Sequence, residues 1–408
     1  MFKKDELKLL WPFYLVAVLT YSVAVINPIV IVFFSRKFSL FQVSLAMALN
    51  SAAGILFEMP SGALADLIGR KPSLVLAFIL SGMLIIIMPF INTPPLFYMA
   101  FFASGVVYTL QSEADEAWMM DWLLHNKKET LMHDMFMKLD SLRSIGFVIG
   151  SLLSTLILFF LEMRHLFYVH GIGFILIGIF LLFIREDFRK YERANIQNIM
   201  KTAHMSKQGV SFIFEHKSLL YLVLATTIAC FPRTFHIAWQ PLLVDLSLPA
   251  KYLGIVYSVE GLIGIVAPLF VKRLLAKFEN EKNYFIAISL LEFLVLLSLI
   301  LVDKPFFIYG IAIYLFVRFI TSLEIPAFSA LFHSLVPSGI RATVGSAKAM
   351  ALSVVSFVSM VVGGYLIDKF GPKVTIVLYS FFLIPAIFFY SRIKTKEGND
   401  LAYRETRM

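Results

Sequence analysis

Gly62-Ala-Leu64-Ala-Asp66-Leu67-Ile-Gly69-Arg70-Lys71 sets a short charged turn between two long apolar runs. On either side, residues 40 to 64 and 73 to 92 each approach or exceed the ~20 mostly apolar residues that carry a helix across a bilayer. Two helices that span lipid must reconnect in water, and glycines at both ends of so brief a connection permit a sharp turn and close backbone approach. Asp66 and Arg70 are spaced to pair across it.

The whole chain agrees with a polytopic membrane protein. Of its 408 residues 59% are hydrophobic and 15% charged, with a mean hydropathy of +0.82. Soluble domains carry roughly 45–50% apolar and about 25% charged residues. The net charge of +9 raises the question of nucleic acid, but the basic residues are scattered among short connections rather than gathered on one face, so no nucleic-acid partner is expected. A single cysteine, Cys230, excludes an intrachain disulfide and a cysteine-based metal cluster; no metal and no cofactor is expected. The charged start, Met1 to Leu10, leads into an apolar run without a small-residue cleavage site, so the first helix is read as retained.

Counting apolar runs gives about twelve spans, all helical. The first half holds 10 to 34, 40 to 64, 73 to 92, 95 to 122, 140 to 161 and 166 to 184; the second holds 218 to 243, 251 to 272, 283 to 302, 305 to 332, 341 to 365 and 373 to 392. The third and fourth divide at Asn92-Thr-Pro94-Pro95. The longest polar stretch, Arg185 to Lys217, reads as a cytoplasmic linker. The expected organisation is therefore an N-terminal six-helix bundle over 1–184, a linker over 185–217, a C-terminal six-helix bundle over 218–392 and a tail over 393–408. Placing both termini inside puts most of the 36 Lys and Arg on the cytoplasmic side.

The spacing Gly-x-Leu-x-Asp-x-x-Gly-Arg-Lys resembles the cytoplasmic signature between the second and third helices of the major facilitator superfamily, with Leu67 where an Arg is usual. The resemblance extends over the full length through span count and central linker. It implies the facilitator fold, two pseudo-symmetric six-helix bundles, and a small-molecule substrate. It also makes Gly62, Asp66, Gly69, Arg70 and Lys71 a cytoplasmic gate, with Asp121 at the end of the fourth span completing a charge network; the bland alternative for Asp121 is a solvated helix end. A second copy, Gly364-Tyr-Leu366-Ile-Asp368-Lys369-Phe-Gly371-Pro-Lys373, lies nine spans later and so on the opposite side, where it reads as a tight extracellular hairpin.

Charges inside a bilayer cost about 2.5–3.5 kcal/mol each on the insertion scale, so each calls for a partner or a water-filled cavity. The fourth span ends with Glu113, Asp115, Glu116 and Asp121, four carboxylates over nine residues. Glu113 and Glu116 share a helix face while Asp115 points about 100° away. Mutual repulsion would raise the proton affinity of at least one, which suits proton coupling; alternatively the cluster is hydrated at the cytoplasmic mouth. Glu324 lies at a similar depth in the second half and joins Glu113, Asp115 and Glu116 as a coupling candidate. In the facilitator fold the first, fourth, seventh and tenth helices line a cavity, which by order selects Tyr21, Asn27, Arg233, His236 and Arg318 as substrate-facing. Arg233 and Arg318 need carboxylates or an anionic ligand, the bland alternative being an ion pair such as Arg318 with Glu292 or Glu324. Arg341 is read as an interfacial anchor, and Lys348 as a contact of Asp66 or a cavity residue. Gly146-x-x-x-Gly150 permits close helix packing.

No phosphate-binding loop, His-Glu-x-x-His or Gly-x-Ser-x-Gly pattern is present, so the expectation is secondary transport and no enzyme activity. Phe57-Glu58-Met-Pro60-Ser-Gly62 with Glu113-Ala-Asp115-Glu116-Ala looks like bacterial carriers presumed to export drugs. The leading expectation is a monomeric, proton-coupled exporter of small amphiphilic molecules in the bacterial plasma membrane, surrounded by lipid and partnered by substrate and protons. The alternatives are an uptake symporter for a small organic anion or nutrient and a non-transporting receptor or scaffold.

Overall fold

In the computed structural model, which describes residues 4–184 and 209–394, every regular element is helical. The helices run Lys4–Ser22, Val30–Ser35, Leu40–Ile68, Arg70–Ile87, Pro94–His125, Met132–Phe160 and Met163–Phe183, then Lys217–Thr234, Trp239–Asp245, Leu253–Val266, Val271–Leu275, Glu281–Leu297 and Phe307–Leu335. Arg341–Ser380, broken at Gly371, and Leu383–Ser391 complete the order. Among the described residues 8 helices are long and apolar enough to cross a membrane, or 9 if the bent pair Gly209–Glu215 and Lys217–Arg233 is one span. One of them, Thr343–Ser391, contains both the eleventh and twelfth expected spans. The expected spans that do not qualify alone are the first, the fourth and the seventh, which are charged or broken, and these carry most of the candidate site residues.

Two spans expected to be continuous are interrupted. The first breaks between Ser22 and Val30, around Asn27-Pro28, and the seventh gives way after Pro232 to a single 3-10 turn, Phe235–Ala238, before Trp239–Asp245. Proline lacks the N–H that an α-helix needs and crowds the preceding turn, so each apolar run is split although its hydropathy is unbroken.

The two glycine-bounded turns share one backbone solution. Gly69 has φ 99° and ψ 149°, and Gly371 has φ 80° and ψ 164°, conformations that side-chain-bearing residues rarely adopt. Four residues on, Ser73 Oγ donates to Gly69 O at 2.9 Å, and Thr375 Oγ1 donates to Gly371 O at 2.8 Å. The internal repeat legible in the sequence is therefore a repeat of conformation.

The described chain forms two compact units: residues 4–38, 45–184 and 249–262, and residues 39–44, 209–248 and 263–394. The linker segment 185–208 and the tail from 395 lie outside the described residues. In the first unit, Gly146 and Gly150 of the Met132–Phe160 helix face the backbone of Lys4–Ser22. A Cβ on Gly146 would lie 2.5 Å from Val18 O, and one on Gly150 would press on Tyr21 O and lie 2.9 Å from Ser22 O. The same helix pair is joined near its start by Glu6, which is 1% exposed: Lys138 Nζ donates to both its carboxylate oxygens at 2.7 and 2.6 Å, and Tyr14 Oη donates to Oε1 at 2.6 Å. In the second unit the core is aromatic and aliphatic around Tyr284, Phe285, Phe332 and Tyr390, with Phe285 and Tyr390 stacked at 5.1 Å.

Because Gly150 has no room for a side chain whereas a Cβ on Gly264 would meet nothing within 4 Å, Gly150→Leu should lower stability by about 1–3 kcal/mol. Gly264→Leu should leave it unchanged. Thermal unfolding of the purified variants, followed by a thiol-reactive dye on the single cysteine Cys230, checks the difference.

Candidate functional site

In the first unit the charged end of the fourth span is organised by a residue from the fifth. Arg143, on Met132–Phe160, donates through Nη2 to Asp115 Oδ2 at 3.2 Å and through Nη1 to Glu116 Oε1 at 3.2 Å. A third carboxylate, Asp140, lies 3.4 Å from Nη1 on Arg143's own helix. Asp115 and Glu116 are adjacent in sequence and point apart, yet the planar five-donor fork of one guanidinium reaches both. The group is open: the side chains of Arg143, Asp115 and Glu116 are 22%, 28% and 47% exposed. With all carboxylates ionised it carries two negative charges in excess of its one positive charge. Tyr21 from Lys4–Ser22 is within electrostatic range of it.

An aromatic base holds these helices in place. Trp118, fully buried one turn beyond Asp115, meets Phe13 edge-on at 4.9 Å, and Trp122 meets the same ring at 5.5 Å. Such contacts add about 0.5–1.5 kcal/mol each to area burial. They fix the fourth span against the first.

The second unit holds a different cluster. Arg233, at the end of Lys217–Thr234, donates through Nη2 to Glu292 Oε2 at 2.8 Å and through Nη1 to Glu324 Oε1 at 2.8 Å, and Nη2 also pairs with Glu324 Oε2. Tyr390 Oη donates to Glu324 Oε1 at 2.8 Å. Side chains from four helices thus form one cluster, two carboxylates on the guanidinium and Tyr390 on Glu324, and the two carboxylates are sealed, Glu292 at 0% and Glu324 at 2% exposure. Arg233 pairs with the two carboxylates that the sequence offered to Arg318, and the charge of Arg318 also acts on Glu292.

The remaining sequence candidates are dispersed. Gly62 lies inside Leu40–Ile68, and Gly69 forms the positive-φ turn before Arg70–Ile87. Lys71 Nζ donates to the carbonyls of Leu182 and Ile184 at 3.1 and 2.6 Å, capping the end of Met163–Phe183, a position where a cation also favours the helix dipole. Arg70 opens the following helix. Asp121 is partly buried and carries no ion pair among the described residues. Asn27 sits in the break of the first span. The side chains of Asp66, Glu113 and His236 lie outside the described residues, so the gate network and the carboxylate pair Glu113–Glu116 have no geometry here. Arg341 Nη2 donates to His333 O and Val336 O at 3.2 and 3.3 Å, capping the preceding helix.

Sequence reasoning missed the pairing roles of Arg143 and Tyr390 and the burial of Glu6. Arg143 stands only three residues inside the fifth span and reads as a loop-side cation. Its signal was the local surplus of carboxylates, which demands a cation from somewhere.

The model of the Major Facilitator Superfamily matches residues 11–359. A Bacillus subtilis (strain 168) protein described as the uncharacterized MFS-type transporter YxaM is 25% identical over 385 residues, covering 93% of this chain and 94% of its own. Among solved structures, a mutant of the nucleoside transporter NupG matches with a TM-score of 0.80 at 12% identity, over 94% of this chain and 99% of its own. A bacterial homolog to the human lysosomal transporter Spinster, inward-facing and occupied, gives 0.75 at 13% identity, over 97% and 99%. At these identities the structural likeness establishes the fold.

The sealed cluster predicts a distinctive stability pattern. Arg233→Ala strands two buried carboxylates and should cost about 3–5 kcal/mol, whereas Arg233→Met with Glu292→Gln and Glu324→Gln should recover most of the loss. Expression level and thermal unfolding of the single and triple variants provide the comparison.

Proposed function

Because this chain belongs to the major facilitator superfamily and is a secondary transporter, we propose that it exports small amphiphilic cations in exchange for protons, with Asp115 and Glu116 as the coupling carboxylates and Arg143 as their counter-charge. The observation that carries this reading is the partly exposed Asp115–Glu116–Arg143–Asp140 group, in which negative charge exceeds positive charge. Two carboxylates sharing one guanidinium leave acceptor capacity that a proton or a substrate cation can take up, and taking up one weakens the hold on the other. With Asp115 protonated, the guanidinium pairs with Glu116 and Asp140, the excess negative charge falls from two to one, and the group attracts a cation less. With Asp115 ionised, the group draws a cation in more strongly, and Tyr21 offers a ring face within range of it. Alternating exposure of this group to the two sides of the membrane then exchanges one cation for another. The Gly62 to Lys71 turn, with Asp66, Arg70 and Asp121, belongs in this reading to the closing of the cytoplasmic side, with both termini cytoplasmic in a bacterial inner membrane.

Glu113 remains a further coupling candidate on the same helix. Glu324 is less suited: it is held by Arg233 and Tyr390 and sealed from solvent, as befits a structural ion cluster. Uptake of an organic anion drew its support from Arg233 and Arg318, and the commitment of Arg233 to two carboxylates weakens that support.

Uptake of ethidium into energised everted vesicles, with and without a protonophore, tests the proposal. Protonophore-sensitive accumulation above empty vesicles is expected, and Asp115→Asn with Glu116→Gln should reduce it to the empty-vesicle level while thermal stability is retained. Equal accumulation in the double variant would remove the coupling assignment, and no accumulation by the unaltered protein would remove the cation-export reading.

A further inference from the structure

Lys348 is unlike the other intramembrane cations of this chain. It lies seven residues past Arg341, about 10 Å along the helix at ~1.5 Å per residue, which is too deep for its charge to be solvated by the headgroup layer without reaching. Its Nζ sits 4.7 Å from the centre of the Phe328 ring and 4.8 Å from that of Phe332. These rings are four residues apart on Phe307–Leu335 and stack at 5.9 Å with 20° between their planes, forming a single platform. Both are buried, at 7% and 3% exposure, while Lys348 itself is only partly buried.

The platform satisfies one side of the ammonium. Cation–π attraction favours the charge, but it uses none of the three N–H donors as ordinary hydrogen bonds to oxygen. Among the described residues no carboxylate lies within ion-pair distance of Lys348 and no carbonyl or hydroxyl accepts from it. Arg233 has two carboxylates, Arg143 three, and Arg341 two carbonyls. The space beside Lys348 is open: on the same helix face, one turn earlier, a Cβ added to Gly345 would meet nothing within 4 Å.

We propose that Lys348 is a binding point for an anionic oxygen group, the carboxylate or phosphate of an amphiphilic molecule, which docks against the ammonium from the side opposite the Phe328 and Phe332 rings. The rings aim the donors outward, and Gly345 leaves room for the group to approach. The anion comes either from a small molecule handled by the carrier or from a lipid headgroup; the chemistry at Lys348 is the same. The site does not depend on the carboxylate group at Arg143 or on the direction of transport.

The test is direct binding to the purified full chain in phosphatidylcholine nanodiscs, with two probes: pyrenebutyrate as the carboxylate amphiphile and NBD-labelled phosphatidylglycerol as the anionic lipid. Loss of one charge-assisted hydrogen-bonded contact predicts that Lys348→Gln weakens binding of at least one probe by about tenfold or more, with Lys348→Arg retaining it within about threefold. An effect on pyrenebutyrate assigns the site to a small-molecule carboxylate, and an effect confined to phosphatidylglycerol assigns it to lipid. If Lys348→Gln does not fold, Lys348→Met keeps the packing over the rings and serves in its place. Affinities for both probes that stay within about twofold of the unaltered protein, in a folded Lys348→Gln or Lys348→Met variant, overturn the proposal.

Discussion

A guanidinium cannot lie within an apolar helix bundle unless oxygen acceptors meet it from neighbouring helices, because lipid offers no water to replace them. In each unit of this chain an arginine meets that constraint with carboxylates, and the two solutions differ in access. Around Arg233 the acceptors, Glu292 and Glu324, come from two other helices and are buried, with Tyr390 of a third donating to Glu324, so the charges act as a polar bolt through the second unit. Around Arg143 they come from one neighbouring helix and from its own, and the cluster stays partly open. Closed ion clusters specify packing; open ones with unbalanced charge can exchange partners, which is what transport chemistry needs.

Much of the fold was legible because the bilayer imposes a strict rule on length and hydropathy. The runs 40 to 64, 73 to 92 and 283 to 302 each fall within or close to a single helix, and the turn at Gly69 and its later copy at Gly371 adopt the same conformation. Hydropathy is blind to proline's missing N–H, so the interruptions near Pro28 and Pro232 were read as continuous helix. Pairings between spans were the least legible. Whether Arg233 or Arg318 meets Glu292 depends on how each helix is rotated about its axis, and an apolar run with few polar residues gives little information on that angle. Glu6 illustrates the same limit: it stands in a charged segment that reads as solvated, yet the helix begins at Lys4 and turns it onto Lys138 and Tyr14.

The candidate site divides in the same way. The acidic end of the fourth span stood out by composition alone, whereas its cation came from 27 residues further along, across a loop and into another helix. The aromatic base of Phe13, Trp118 and Trp122 could not be told from general lipid-facing or core aromatics without geometry. Lys348 was visible as an intramembrane charge, but the rings of Phe328 and Phe332 beside it were not.

The two glycine turns, alike in backbone, are fastened by different chemistry. Lys71 is held by neutral main-chain carbonyls of Leu182 and Ile184, whereas Lys373 is held by the carboxylate of Asp303 at 2.9 Å, and that carboxylate is 83% exposed. Counterions compete for an exposed ion pair far more readily than for a helix-end carbonyl cage, and the screening length falls from about 10 Å at 0.1 M to about 3 Å at 1 M salt. Ionic strength therefore acts selectively: it loosens the Gly371 turn from its neighbouring loop while leaving the Gly69 turn fastened, so a duplicated motif has acquired two different sensitivities to its surroundings.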